Sequence, residues 1–297
     1  MKNGKTEAKI HIRRAISSDR EAVLSFCKKT WRWDDYIQHV WDDWLTQKNG
    51  QLFTATAETQ PVGIMHVSID KSRDAWLRGA RTNPKYRRMG IATALTKKCL
   101  EYAKRKGAKT ARLATQSDNE TAQAVLGKLG FEKVAEFVDP KTEDITEEKS
   151  RNAEWTEENK VEEIWSYAQS SETYREAARL YTILYQYFTL EKEDLAEFVM
   201  EKKAIIHKNA KGKVDGIVLI SDAPAREWHR RVLQTSYVDG NCKAIVETFK
   251  FLKTHCHKNK IRKIYVFAAN NKQTISAFKK LEFELPDSTD LVYEKKL

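Results

Sequence analysis

The sequence predicts an α/β (α+β) chain built from two tandem repeats of one strand-and-helix plan. Three observations predict it. Short alternating apolar runs are interleaved with segments of helical periodicity. The order of these segments in the first half returns in the second. Wording returns too: "VGIMHV" matches "DGIVLI", and "NETAQAVLGKLGFE" matches "NKQTISAFKKLEFE", so that Asn119 stands to Phe131 as Asn271 stands to Phe283. An internal duplication accounts for all three.

The elements follow in order. "KIHIRRA" reads as a first strand, and "SSDREAVLSF" as a helix with Ser17 or Ser18 as its cap. "WRWDDYIQHVWDDWL" reads as a second helix, with Trp33, Ile37, Val40, Trp41 and Trp44 on one side. "QLFTATA" and "PVGIMHVSI" alternate as a hairpin, and "AWLRGARTN" is a strand that ends at Pro84. "GIATALTKKCLEYAKRKG" is a helix closed by Gly107. A strand "KTARLAT", a short helix from Asn119 and a strand "FEKVAEFV" complete the first repeat. In the second, "ILYQYFTL" reads as one strand and "EKEDLAEFV" as a helix with Thr189 near its cap. "KAIIHK" and "VDGIVLI" form a hairpin. "RVLQTSYV", the helix "CKAIVETFKFLKTHC", the strand "RKIYVFA" and a helix from Asn271 follow. Residues 139–180 read as an acidic linker leading into a helix with Trp165.

Composition narrows the class. The chain has 297 residues, a formal charge of +11 and a pI near 9.3. This balance suits an anionic partner such as a phosphorylated cofactor, a nucleic acid or a ribosome surface, or simply a solvated basic surface. No nucleic-acid motif supports the second option. No apolar leader or long uncharged run is visible, so the expectation is a cytoplasmic protein without a membrane span. Cys27, Cys99, Cys242 and Cys256 are scattered and read as reduced thiols. "HCH" at residues 255–257 reads as a cationic helix end rather than a metal site, and no metal is expected.

The chemistry-bearing stretch is "YRRMGIATAL". A strand runs through a tight basic turn into a helix. The helix start offers unpaired N–H groups and the positive end of a dipole. Gly90 lets backbone approach an anion, Ala92 keeps the turn uncrowded, and Arg87 and Arg88 add charge. The stretch lacks the GKS or GKT of a P-loop and the GxGxxG of a dinucleotide fold.

In this context "TNPKYRRMGIATAL", followed by a strand and then "N…A…LGF", resembles the Gcn5-related N-acetyltransferases, the GNAT superfamily. The resemblance covers Lys9 to about Val138. It implies two tandem GNAT-like domains, each a mixed, mostly antiparallel central sheet flanked by helices. The boundaries are 8–138 for a catalytic domain, 139–180 for a charged linker and helical segment, and 181–297 for a degenerate repeat. It also implies an acetyl-CoA-dependent N-acetyltransferase whose acceptor is the amine of a small molecule, amino acid or peptide. Arg87, Arg88, Met89, Gly90, Ile91 and Ala92 would wrap the cofactor pyrophosphate. Ala80, Arg81 and Thr82 would line the pantetheine arm and offer an oxyanion donor, and Asn119 would contact the cofactor. "WLRGARTNPKYRRMGIA" and "YQYFTLEKEDL" carry a narrower similarity to tandem proteins of the histidine N-acetyltransferase-like group.

The sequence departs from the family at two points. Many GNATs place a tyrosine acid where Leu126 stands, so the thiolate proton must come from water or another residue. No base stands out: Asp34, Asp35, His66 and Asp74 are candidates, directly or through water. The aromatic and acidic face of "WRWDDYIQHVWDDW" reads either as a wall for a cationic amine or as core with a wet acidic edge. The second repeat lacks the basic turn, which is about four residues shorter there, and Asp239 would repel a phosphate. An alternative is a non-catalytic acetyl-CoA-binding sensor or interaction module.

Overall fold

The computed structural model describes residues 9–28, 35–222 and 231–297. Trp33 and Asp34 lie outside them. The chain divides into two compact units. The first takes in the described residues up to Leu113, together with Thr121–Glu132 and Glu294–Leu297. The second takes in Ala114–Glu120 and the described residues between Lys133 and Tyr293.

The first unit opens with β1 (Ile10–Arg14), α1 (Arg20–Cys27) and α2 (Ile37–Thr46). Next come β2 (Gly50–Ala57), β3 (Gln60–Ile69), β4 (Asp74–Thr82), α3 (Ile91–Arg105), β5 (Thr110–Gln116), whose residues from Ala114 on are counted in the second unit, and α4 (Glu120–Lys128), all but its first residue. Strands β1 to β4 pair antiparallel in sequence order, and β5 adds parallel to β4. β3 is buried on both faces, with Val62, Ile64, Met65 and Val67 in the core and the polar His66 and Ser68 buried among them. On one face Ile64 joins Val23, Phe26, Ile37, Trp41, Trp44 and Leu52 in a core under α1 and α2. Each fully buried aliphatic there contributes about 2 kcal/mol. On the other face α3 presses on β3 at Gly63, where a Cβ would lie 2.7 Å from Ile91 Cγ2. Neither Ser17 nor Ser18 caps α1. Both lie in a 3-10 turn, and the Asp19 carboxylate instead accepts the Ile16 N–H at 2.9 Å and pairs with Arg13.

The second unit contains β6 (Glu132–Val138), β7 (Lys141–Thr142), β8 (Ala153–Trp155), α5 (Val161–Ser170) and α6 (Glu172–Glu176). It continues with β9 (Leu180–Ile183), β10 (Gln186–Thr189), α7 (Lys192–Met200), β11 (Ala204–Lys208), β12 (Val214–Asp222) and β13 (Val232–Gly240). It ends with α8 (Cys242–Lys258), β14 (Lys263–Tyr265), β15 (Ala268–Ala269), α9 (Lys272–Lys280) and β16 (Asp290–Lys296), whose residues from Glu294 on are counted in the first unit. Its main sheet runs β7-β14-β13-β12-β11-β8. The plan of the first unit is recognisable: α8 presses on β12 at Gly216, where a Cβ would lie 2.9 Å from Ala244 Cβ.

Several expectations change here. "ILYQYFTL" is not one strand but the end of a tight hairpin, with Leu184 and Tyr185 at φ 53° and 60° joining β9 to β10. α7 is capped by Glu191, with Asp194 accepting its N–H at 3.0 Å, and not by Thr189. "RKIYVFA" breaks into β14 and β15 because the Phe267 N–H donates to Thr235 Oγ1 instead of a ladder. The segment 139–180 supplies core: Ile164, Ala168 and Tyr174 pack with Leu195, Val199 and Ile217.

The second unit also buries a carboxylate. Asp290 is 5% exposed, accepts from Gln116 Nε2 at 2.5 Å and from Tyr187 OH at 3.3 Å. Burial, with Asp139 nearby, pushes its carboxyl up to about 7. The folded state thus holds a proton that the unfolded chain releases near pH 4. This contribution is complete below about pH 4 and is lost as pH rises towards 7. Stability measured by urea denaturation should fall across that window by on the order of 3 kcal/mol, and Asp290→Asn should flatten the fall.

Candidate active site

The site begins with an irregularity in β4. Ile64 faces Arg81 and His66 faces Arg78, so Met65 alone faces both Gly79 and Ala80. This is a β-bulge, which leaves the extra residue out of the ladder and turns its backbone groups outward. Gly79 has φ +68°, a left-handed conformation that side chains resist. A Cβ there would stand 2.5 Å from Trp44 Cη2. On its other edge β4 pairs with β5 only over Asp74–Trp76, so β5 does not continue the ladder along Leu77–Thr82.

β4 then delivers the chain into the basic turn. The Asn83 N–H donates to Val62 O at 2.8 Å, and Asn83 Oδ1 accepts the Lys85 N–H at 3.1 Å. Pro84–Tyr86 form a 3-10 turn. Arg88 and Gly90 both adopt positive φ, 65° and 73°. Alternation of right- and left-handed residues points successive N–H groups into one concavity, an anion nest. α3 starts directly after Gly90, which has no side chain to cap it, so the leading N–H groups of the helix have no side-chain cap. A Cβ on Gly90 would meet nothing within 4 Å. Arg87, Arg88 and Met89 are exposed, Ala92 is half-buried and Ile91 is anchored in the core. Among the described residues neither arginine forms an ion pair. Ala80 to Ala92 are therefore one continuous strand-turn-helix of the first unit. Asn119 lies in the turn before α4, where its N–H donates to Gln116 O at 3.0 Å.

The candidate bases fare differently. The Asp35 carboxylate takes a bidentate contact from Arg81, at 2.6 and 3.1 Å, and accepts the Ile37 N–H at 3.1 Å. Asp74 is held by Arg112 Nη1 at 2.6 Å and by Thr110 Oγ1. It opens β4, eight residues before Thr82 and so roughly 26 Å from the turn. His66 is fully buried and stacks on Trp44 at 4.4 Å and 15°. Burial, with the Arg78 charge, pushes its imidazole down to about 2. Each of the three is a packed or paired group rather than an exposed base. Trp41 and Trp44 are core, and Asp42 and Asp43 are the wet edge of α2. Leu126 is buried and offers no proton.

Residues 19–131 match the acetyltransferase (GNAT) family. Over this segment the chain is similar to the GNAT acetyltransferases. Curated relatives agree with it: an uncharacterized N-acetyltransferase of Methanocaldococcus jannaschii is 27% identical over 136 residues, 41% of this chain and 60% of that one. N-alpha-acetyltransferase 30 of Schizosaccharomyces pombe is 32% identical over 100 residues, 32% of this chain and 62% of that one. The chain thus spans about 60% of the length of these relatives. A tandem GNAT protein from the clavulanic acid biosynthesis pathway shares the fold along 97% of this chain and 98% of its own, with a TM-score of 0.55 and 12% identity.

The second unit answers the GNAT plan with side chains. Eight residues, Asn83–Gly90, separate β4 from α3, whereas Asn241 alone separates β13 from α8; the turn is seven residues shorter, not four. Asn241 Oδ1 accepts the Ala244 N–H at 3.0 Å, and Gln273 Oε1 accepts the Cys242 N–H at 3.0 Å. Asn271 caps α9 and donates to Glu176 and Thr173. The sequence placed the Asp239 charge at the turn, and the structure corrects this. Asp239 is buried beneath three hydroxyls, those of Tyr237 at 2.6 Å, Ser171 at 2.8 Å and Tyr167 at 3.3 Å, and burial raises its pKa.

Sequence reasoning missed the Arg81–Asp35 pair and the Trp44–Gly79 contact. The signal for the second was present: a glycine inside a strand pattern marks a bulge or a close approach. If Asp74 only holds Arg112, Asp74→Asn should cost about 2 kcal/mol in denaturation experiments and leave acetyl-CoA affinity unchanged.

Proposed function

We propose that this chain is an acetyl-CoA-dependent N-acetyltransferase that moves acetyl directly from the thioester to an amine. The observation that carries this reading is the strand-turn-helix from Gly79 to Ala92. Its bulge, its nest at Arg88–Gly90 and the open start of α3 follow one another along one segment. The nest and helix start suit the pyrophosphate, with Arg87 and Arg88 adding charge. The free edge of β4 at Leu77–Thr82 suits the amides of the pantetheine arm, which would add to it like a strand. The backbone N–H groups released at Gly79–Ala80 suit the thioester oxygen.

The neutral amine attacks the thioester carbonyl, and the C–S bond breaks as the C–N bond forms. The amine loses one proton to water, and the departing thiolate takes one from water. A thiol with a pKa near 8.5 is a tolerable leaving group, so the protein's main work is to hold the two reactants together and to stabilise the oxyanion. Acceptors in scope are small-molecule amines, amino acids and peptides. The name of the Schizosaccharomyces pombe relative favours an α-amine. The second unit, with its amides capped and its carboxylate buried, acts as a non-catalytic repeat. No helix among the described residues is long and apolar enough to cross a membrane, and we place the protein in the cytoplasm.

One observation favours a second reading. Asp35 and Asp74 are both held by arginines, as a cofactor-sensing module without proton chemistry would allow. Free-thiol release from acetyl-CoA, screened against amino acids, polyamines and peptides, separates the two. Amine-dependent release supports transfer, and tight binding without release supports sensing. Under both, Gly90→Glu should abolish binding, because the new carboxylate would occupy the space where a phosphate sits.

A further inference from the structure

The buried stack of His66, Trp44 and Gly79 lies at the β4 bulge and outside the phosphate turn. Trp44 is 3% exposed and His66 is fully buried. The Trp44 ring lies against Gly79 on β4 and is stacked against the His66 imidazole on β3. Its fit is tight at both ends. A Cβ at Gly79 would stand 2.5 Å from the indole, and a Cβ at Gly50 would stand 2.9 Å from His66 Nε2. Neither nitrogen of His66 has a hydrogen-bond partner among the described residues. A buried imidazole without partners costs free energy, so polarity is not what the position uses. Beyond the stack, Arg81 on the far side of the bulge is tied to Asp35 just before α2. The two residues that bracket Ala80 are thus fixed by two points on and before one helix.

A bulge is a local register shift, and a strand pair can hold it at neighbouring positions. We infer that Trp44, backed by His66, is a positioning device that fixes the β4 bulge at Gly79–Ala80 and so aims its backbone N–H at the acetyl carbonyl. This rests on the reading of the bulge as the acetyl-binding element. His66 then acts through the flat shape of its ring and not through its nitrogens, which a base would need.

The test compares His66→Phe, which keeps a flat ring, with His66→Ala, which removes it. Calorimetry with acetyl-CoA and with CoA reads the preference for the acetyl group, which depends on the bulge and not on the phosphate turn. Wild type should prefer acetyl-CoA several-fold. His66→Phe should keep that preference, and His66→Ala should bring the two affinities together with CoA binding unchanged. In turnover, His66→Ala should lower kcat by about tenfold to a hundredfold with little change in KM for acetyl-CoA, while His66→Phe stays near wild type across pH 6–9. Should the Ala variant not fold, His66→Leu fills the space without a flat plate and carries the same expectation. The inference is overturned if wild type shows no acetyl preference, if His66→Ala and His66→Leu keep it, or if His66→Phe loses it as fully as they do. Wild type that binds neither ligand would instead overturn the proposed function.

Discussion

The first unit depends on one left-handed residue in the middle of a strand. Gly79 bends β4 where the indole of Trp44 leaves no room for a Cβ, and the register to β3 shifts there. Everything downstream follows from that bend. Arg81 is placed to meet Asp35, Thr82 ends level with Gly63, and Gly63 in turn admits Ile91 so that α3 starts close to the sheet. The strand end and the helix start are then fixed, and eight residues span them in a conformation with two positive φ angles. Strain of about 1 kcal/mol or more at Arg88 is kept because both ends are held.

The two repeats show how little must change to close such a site. Both keep a bulged hairpin, a small residue beneath the long helix and a parallel neighbour that leaves after three residues. In the second unit the bulge opposes Leu219–Ile220, and the turn has shrunk to Asn241. One asparagine and one glutamine take the N–H groups at the start of α8 that an anion would otherwise take. The backbone plan is kept while these open groups are satisfied internally, which is the cheaper state for buried polar groups.

What the sequence made legible was the pattern set by backbone chemistry. Periodicity gave the order of strands and helices, and "YRRMGIA" gave the turn, because glycine, arginine and a helix start announce an anion site in one dimension. What stayed hidden depended on pairs distant in sequence. Nothing local told that Arg81 would commit Asp35, 46 residues away, or that Arg112 would commit Asp74. Both aspartates therefore looked like free bases. Asp239 misled for the same reason: its charge was visible, but not the three hydroxyls folded over it. Short strands were over-extended where a side chain took the ladder's place, as at Thr235 and Phe267.

The central claim is that one strand-turn-helix, in the first unit, holds one acetyl-CoA. Its most direct test is the stoichiometry of acetyl-CoA in a calorimetric titration of the full chain. The account predicts saturation at one equivalent. A second equivalent, lost on altering the turn at Gly240, or saturation that persists when the Arg87–Ala92 turn is replaced, would contradict it.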